Sequence, residues 1–91
     1  MNQPLKAKDL IELPGTYEFK VIGESSPEFL AKLSSLVEGI IGFKRLLQVT
    51  QRPSAKGKYI AYSLTTQIEV YEEIEKVYLS LKELPGIKFY M

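Results

Sequence analysis

Arg52, Lys56 and Lys58 crowd the short loop Pro53-Ser54-Ala55-Lys56-Gly57-Lys58, and no acid lies near them in sequence. From Gly39 to Ile68 the chain has neither Asp nor Glu, while Lys44 and Arg45 add to the same sign. Unopposed cations attract anions even in a chain whose formal net charge is only +1. A second set of anion-binding groups sits upstream, in Gly23-Glu24-Ser25-Ser26-Pro27. Ser26 suits an N-cap and Pro27 the first helical position, and the free N–H groups of a helix start favour an anion. The candidate ligand site is therefore Gly23, Ser25, Ser26, Arg52, Ser54, Lys56, Gly57 and Lys58, with the glycines letting backbone approach a ligand. The plainer alternative is a Ser-capped helix beside a solvated Lys-rich turn, and Glu24 and Glu28 weaken the field there. Each exposed pair with a ligand is worth only about 0–1 kcal/mol. A ligand therefore needs apolar or hydrogen-bonding contacts as well.

The rest of the chemical inventory is short. Histidine and cysteine are both absent, which removes the usual neutral-pH acid/base, thiol catalysis, zinc-thiolate sites and disulfides. The chain's one Asn is Asn2. Glu69, Glu72, Glu73 and Glu75 cluster, but a helix start facing water collects acids without any catalytic role. We expect no cofactor, no transition-metal dependence and no hydrolytic turnover. No apolar run is long enough to span a membrane, and the first residues lack a secretory core, so a cytoplasmic protein is expected.

A chain of 91 residues has room for one modest core. Residues 1–9 read as a loose lead-in and residues 10–91 as a single domain, with Leu10, Ile11 and Leu13 tucking a turn against it. Tyr17 to Ile22 alternates apolar and charged, which predicts a half-buried strand with Glu18 and Lys20 outward, broken by Gly23 and Glu24. Phe29, Leu30, Leu33, Leu36, Val37, Ile40 and Ile41 recur at helical spacing and stop at Gly39–Gly42. Phe43 to Gln51 and Tyr59 to Thr66 form a predicted hairpin around the basic loop. A second helix is expected from about Glu69 to Glu83, with Ile74, Val77, Tyr78, Leu81 and Leu84 inward and Glu72, Glu73, Glu75 and Lys76 outward. Ile87 to Met91 supplies a last strand.

The order β-α-β-β-α-β is the split β-α-β plan of an α+β, ferredoxin-like sandwich: a four-stranded antiparallel sheet, order 4-1-3-2, with two helices on one face. That topology brings Gly23–Ser26, Pro53–Lys58 and Leu84–Gly86 to one end of the sheet. Known users of the plan can be tested by residue. Metallochaperones need two Cys in the first β-α loop, and acylphosphatases need an Arg there and a placed Asn; this chain has neither arrangement. RNA-recognition motifs stack bases on outward aromatics of strands 1 and 3, a signature that Glu18 and Lys20 do not supply.

Three segments carry a resemblance: Leu13-Pro14-Gly15-Thr16-Tyr17-Glu18-Phe19-Lys20-Val21-Ile22-Gly23, Pro53-Ser54-Ala55-Lys56-Gly57-Lys58-Tyr59 and Leu84-Pro85-Gly86-Ile87-Lys88-Phe89-Tyr90-Met91. They resemble the YbeD-like family of small bacterial proteins of unresolved function, sometimes labelled lipoate-regulatory. Ala55 stands where the family usually has a second Ser, and Lys58 where it usually has Asn. The resemblance implies a ferredoxin-like fold close to that of ACT regulatory domains, and it transfers no catalytic residue.

The first functional expectation is a non-enzymatic regulatory or adaptor domain. It would bind a small anionic ligand or a partner protein at the basic pole or over the open sheet face, where a homodimer could also form. Ile22, Leu46 and Tyr59 are expected to add apolar area there. The alternative is a nucleic-acid-binding accessory domain using hairpin 44–58, and a small hydrolase ranks last.

Overall fold

The computed structural model describes residues 12–53 and 57–90. Met91, the 1–9 lead-in, Leu10, Ile11, Ser54 and Lys56 lie outside those residues. Strand β1 (Gly15–Glu24) leads to helix α1 (Pro27–Ile41), then strands β2 (Leu46–Pro53) and β3 (Tyr59–Ile68), helix α2 (Tyr71–Leu81) and strand β4 (Ile87–Tyr90). The sheet order is β2-β3-β1-β4 with every neighbouring pair antiparallel, the expected 4-1-3-2 plan.

Alternation assigns the two faces. Phe19 and Val21 of β1 and Tyr62, Leu64 and Ile68 of β3 turn inward and are fully buried. The helices cover them with Phe29, Leu33, Val37 and Ile41 of α1 and Ile74, Val77 and Leu81 of α2. Thr66 also lies on this buried face, and its hydroxyl donates to the Tyr17 carbonyl at 2.7 Å. Satisfying the hydroxyl in this way avoids the cost of an unpaired buried polar group.

Several element boundaries differ from the sequence reading. β1 runs on through Gly23 and Glu24, because Ile60 and Tyr59 of β3 continue the ladder opposite them. Gly23 persists in the strand because Phe29 fills the space a side chain would need: a Cβ there would lie 2.3 Å from the ring. β2 begins only at Leu46, after a single 3-10 turn, Phe43–Arg45, that follows Gly42 at φ +99°. α2 starts at Tyr71 rather than Glu69 and ends at Leu81, and β3 extends to Ile68.

The turn at Phe43–Arg45 changes the reading of the basic segment. Arg45 donates to the carbonyls of Gln67 at 3.0 Å and Ile41 at 2.8 Å, and it pairs with both carboxylate oxygens of Glu73. Glu73 was expected to face water. Instead its side chain is 17% exposed, and it also accepts the Glu69 N–H at 2.8 Å. The N-cap of α2 is Val70, which has no side-chain acceptor, so Glu73 reaches back to do that work. Arg45 therefore joins α1, β3 and α2 at the end of the sheet opposite the 53–58 loop.

Candidate functional site

The uncovered face of the sheet is built by the other half of the alternation. β1 presents Glu18, Lys20 and Ile22; β2 presents Thr50 and Arg52; β3 presents Tyr59, Ala61 and Ser63. A register shift between Ile22 and Gly23 accommodates β4 and sets Phe89 opposite Ile22 on this side. Across the strands one row reads Phe89, Ile22, Ala61, Arg52, and the next reads Lys20, Ser63, Thr50.

These rows enclose a trough of about 480 Å³. Its floor lies over Ala61 and Ser63, the small side chains of β3, and longer side chains on either side wall it. Lys20 stands on the β1 wall and Arg52 on the β2 wall; no carboxylate is among the described lining residues. Neither cation takes part in an ion pair among the described residues, where the one such pair is Arg45–Glu73. Ile22 is 37% exposed and Phe89 53% exposed, so apolar surface adjoins the charges. Toward the 53–58 loop, the ammonium groups of Lys88 and Lys58 lie 5.4 and 5.8 Å from the centroid of the Tyr59 ring. Such spacing suits cation–π attraction and holds two further cations at that end of the sheet.

Of the predicted pole residues, the described ones (Gly23, Ser25, Ser26, Arg52, Gly57 and Lys58) occupy one end of the sheet but do not converge on one cavity. Ser25 and Ser26 line a 400 Å³ hollow with Pro27, Leu30, Gln51, Ile60 and Tyr62, on the helix side of the sheet. The Ser26 hydroxyl already accepts the Phe29 N–H at 3.0 Å, so it serves the helix cap. A second hollow at the start of α1 is bordered by Glu24, Glu28 and Lys32, two carboxylates against one ammonium. Gly23 is buried beneath Phe29 and exposes no approach to its backbone from that side. Arg52 faces the other way, into the trough. Gly57 and Lys58 are exposed at the same end, and Gly57 takes φ +71° in the turn. Hairpin 44–58 likewise forms no single cationic stripe, because Arg45 is held by Glu73 at the far end.

Two residues expected on the open face separate. Tyr59 is there, whereas Leu46 faces the helices, packed on the core opposite Thr66. Tyr90 also turns inward, its ring 6.1 Å from that of Tyr78. Tyr78 donates or accepts a 2.9 Å bond with the Tyr17 hydroxyl, and burial pushes its phenol above the ordinary range. Among the described residues, no cluster of three or more His, Cys, Asp or Glu is positioned to hold a metal, and no helix is long and apolar enough to cross a membrane.

Sequence reasoning noted that Lys20 points outward but did not connect it with Arg52, Ala61, Ser63 and Phe89. A signal was present in β3, where Ala61, Ser63 and Thr65 put small residues on three successive outward positions beyond Tyr59. The Phe89 side chain was not legible, because the register shift in β4 decides its face.

Residues 8–91 match the family described as "Protein of unknown function (DUF493)". The chain belongs to that family. Among its relatives, a UPF0250 protein of Shewanella piezotolerans is 30% identical over 83 residues, 91% of this chain and 92% of the relative. One from Vibrio cholerae is 30% identical over 88 residues, 97% of this chain and 94% of that protein. These are YbeD-like proteins, as the resemblance implied. The solution structure of protein HP0495 from H. pylori superposes with a TM-score of 0.75 at 15% identity, covering 98% of both chains. The DUF493 chain described here thus shares its ferredoxin-like α+β fold with a solved structure.

Proposed function

We propose that this DUF493 chain is a non-catalytic binding module, acting as a regulator or adaptor through the uncovered face of its sheet. The ligand or partner presents a carboxylate or phosphate beside apolar surface. One observation carries the reading: Lys20 and Arg52 face each other across a trough floored by the small side chains of Ala61 and Ser63, into which no described residue brings a carboxylate. Cations on opposite walls fix the position of an anion, while Ile22, Ala61 and Phe89 supply the contacts that exposed charges lack. The helix-side hollows support this reading less well, because the Ser26 hydroxyl is already occupied and Glu24 and Glu28 border the start of α1.

The test is an amide NMR titration with benzoate, which joins a carboxylate to an apolar ring, beside one with phosphate. Shifts should gather at Lys20–Ile22, Arg52 and Ala61–Ser63, with benzoate the stronger probe. Substituting Lys20→Gln and Arg52→Gln together should remove them. Stability should change by no more than about 0.5 kcal/mol per site, since both side chains are exposed. Shifts confined to Ser25–Phe29, or scattered over the surface, would move the site away from the open face.

A further inference from the structure

We propose that the trough receives an extended acidic segment of a partner polypeptide, with carboxylates at positions i and i+4 and a large apolar side chain at i+2. The inference rests on the trough being a binding site and names its occupant. Lys20 is level with Ser63 on β3, and Arg52 is level with Ala61. Two strand spacings across the sheet and one two-residue step along it put their Cα atoms roughly 12 Å apart. Four residues of extended chain span about 13 Å, and positions i, i+2 and i+4 project to one side. The diagonal between the two cations crosses β3 over Ala61 and Ser63, where the side chains are shortest. A central apolar side chain would therefore enter the trough beside Ile22 and Phe89 while its flanking carboxylates meet Lys20 and Arg52.

The architecture favours a polypeptide over a small anion. Every described lining residue belongs to a strand of one sheet, so no loop or helix among the described residues roofs the trough. A small ligand would keep one side in water, whereas ligand sites usually enclose most of their occupant. A chain segment gains further contacts along the exposed face. A second copy fits poorly. Trough on trough, each copy brings Lys20 and Arg52 but, among the described residues of this face, only Glu18 to meet them, so the charges do not balance; the exposed acids Glu72 and Glu75 lie on α2, beyond the other face of the sheet. Docking them would be head-to-tail, which gives a ring or a filament rather than a two-fold dimer. Nucleic acid fits poorly too: Arg45 is spent on Glu73 at the far end, so the described cations of hairpin 44–58 do not line one stripe along the sheet for a phosphate backbone.

The test titrates the full chain, by NMR, with an end-blocked pentapeptide carrying glutamate at its first and fifth positions, phenylalanine at the third and serine between. Shifts at Lys20–Ile22, Arg52, Ala61–Ser63 and Phe89 are expected. A peptide with the glutamates adjacent should bind about tenfold more weakly. Lys20→Glu with Arg52→Glu should abolish binding of the acidic peptide and confer binding of its lysine counterpart. If benzoate perturbs the trough but the peptide does not, the occupant is not an acidic segment, although the site stands. If neither perturbs it, both readings fail. Two other results overturn the inference. In one, a single-stranded oligonucleotide perturbs these residues more strongly than the peptide, with affinity collapsing in salt. In the other, the same residues shift with protein concentration alone as the mass doubles.

Discussion

Replacing Glu73 by Ala is expected to destabilise the fold by about 2–3 kcal/mol, because one carboxylate serves two structural tasks. It pairs with Arg45, which also donates to the carbonyls of Ile41 and Gln67, and it accepts the N–H of Glu69 ahead of α2. Removing it leaves a largely shielded guanidinium without its partner and the start of α2 without a cap. The Arg45 guanidinium holds the Glu73 carboxyl below its ordinary range; burial opposes this, and the Glu69 and Val70 N–H groups assist. The folded-state pKa is thus below the unfolded one. The associated stability is present above the ordinary carboxylate pKa and is lost as pH falls through the folded value. The matching upward shift of Arg45 comes from the same pair, so the guanidinium stays charged across the acid and neutral range and the loss in acid follows the protonation of Glu73. Urea unfolding at neutral pH and near pH 3 should show Glu73→Gln and wild type converging in acid. A constant gap between them would mean that the pair contributes nothing electrostatic.

Gly23→Ala should also be costly, by about 1–3 kcal/mol, although alanine usually improves on glycine in a strand. The added Cβ would meet Phe29 Cζ at 2.3 Å. Phe29 cannot withdraw easily: it is 2% exposed and its ring centroid lies 5.5 Å from that of Tyr62. Shortening the obstruction with Phe29→Leu should make the two substitutions less than additive in a double-mutant cycle. Strict additivity would show that the Gly23 effect is a backbone one.

The order of elements and their buried faces were legible because period-2 and period-3.6 patterns are written directly in residues such as Phe19, Val21, Leu33 and Val37. The topology followed from that order. What escaped was tertiary. Glu73 looks like any solvated acid until Arg45, on a turn that no propensity specifies, is placed beside it. Gly23 looks like a strand breaker because its reason lies in Phe29, across a loop. The candidate site was half legible: Arg52 was singled out for its charge, but grouping it with Ser26 used the end of the sheet and ignored its faces. Parity along β1 and β3 puts Arg52 with Lys20 instead, and only register reveals that.

Filling the trough tests the central claim most directly. Ala61→Tyr places a large side chain on the floor at an outward strand position that favours aromatics, so stability should hold or rise. Benzoate titrations of this variant and the wild type, followed by amide NMR, should show binding lost in the variant with its melting temperature undiminished. Retained binding, with shifts gathered at Ser25–Phe29 in both proteins, would place the ligand at the start of α1 and contradict the open-face account.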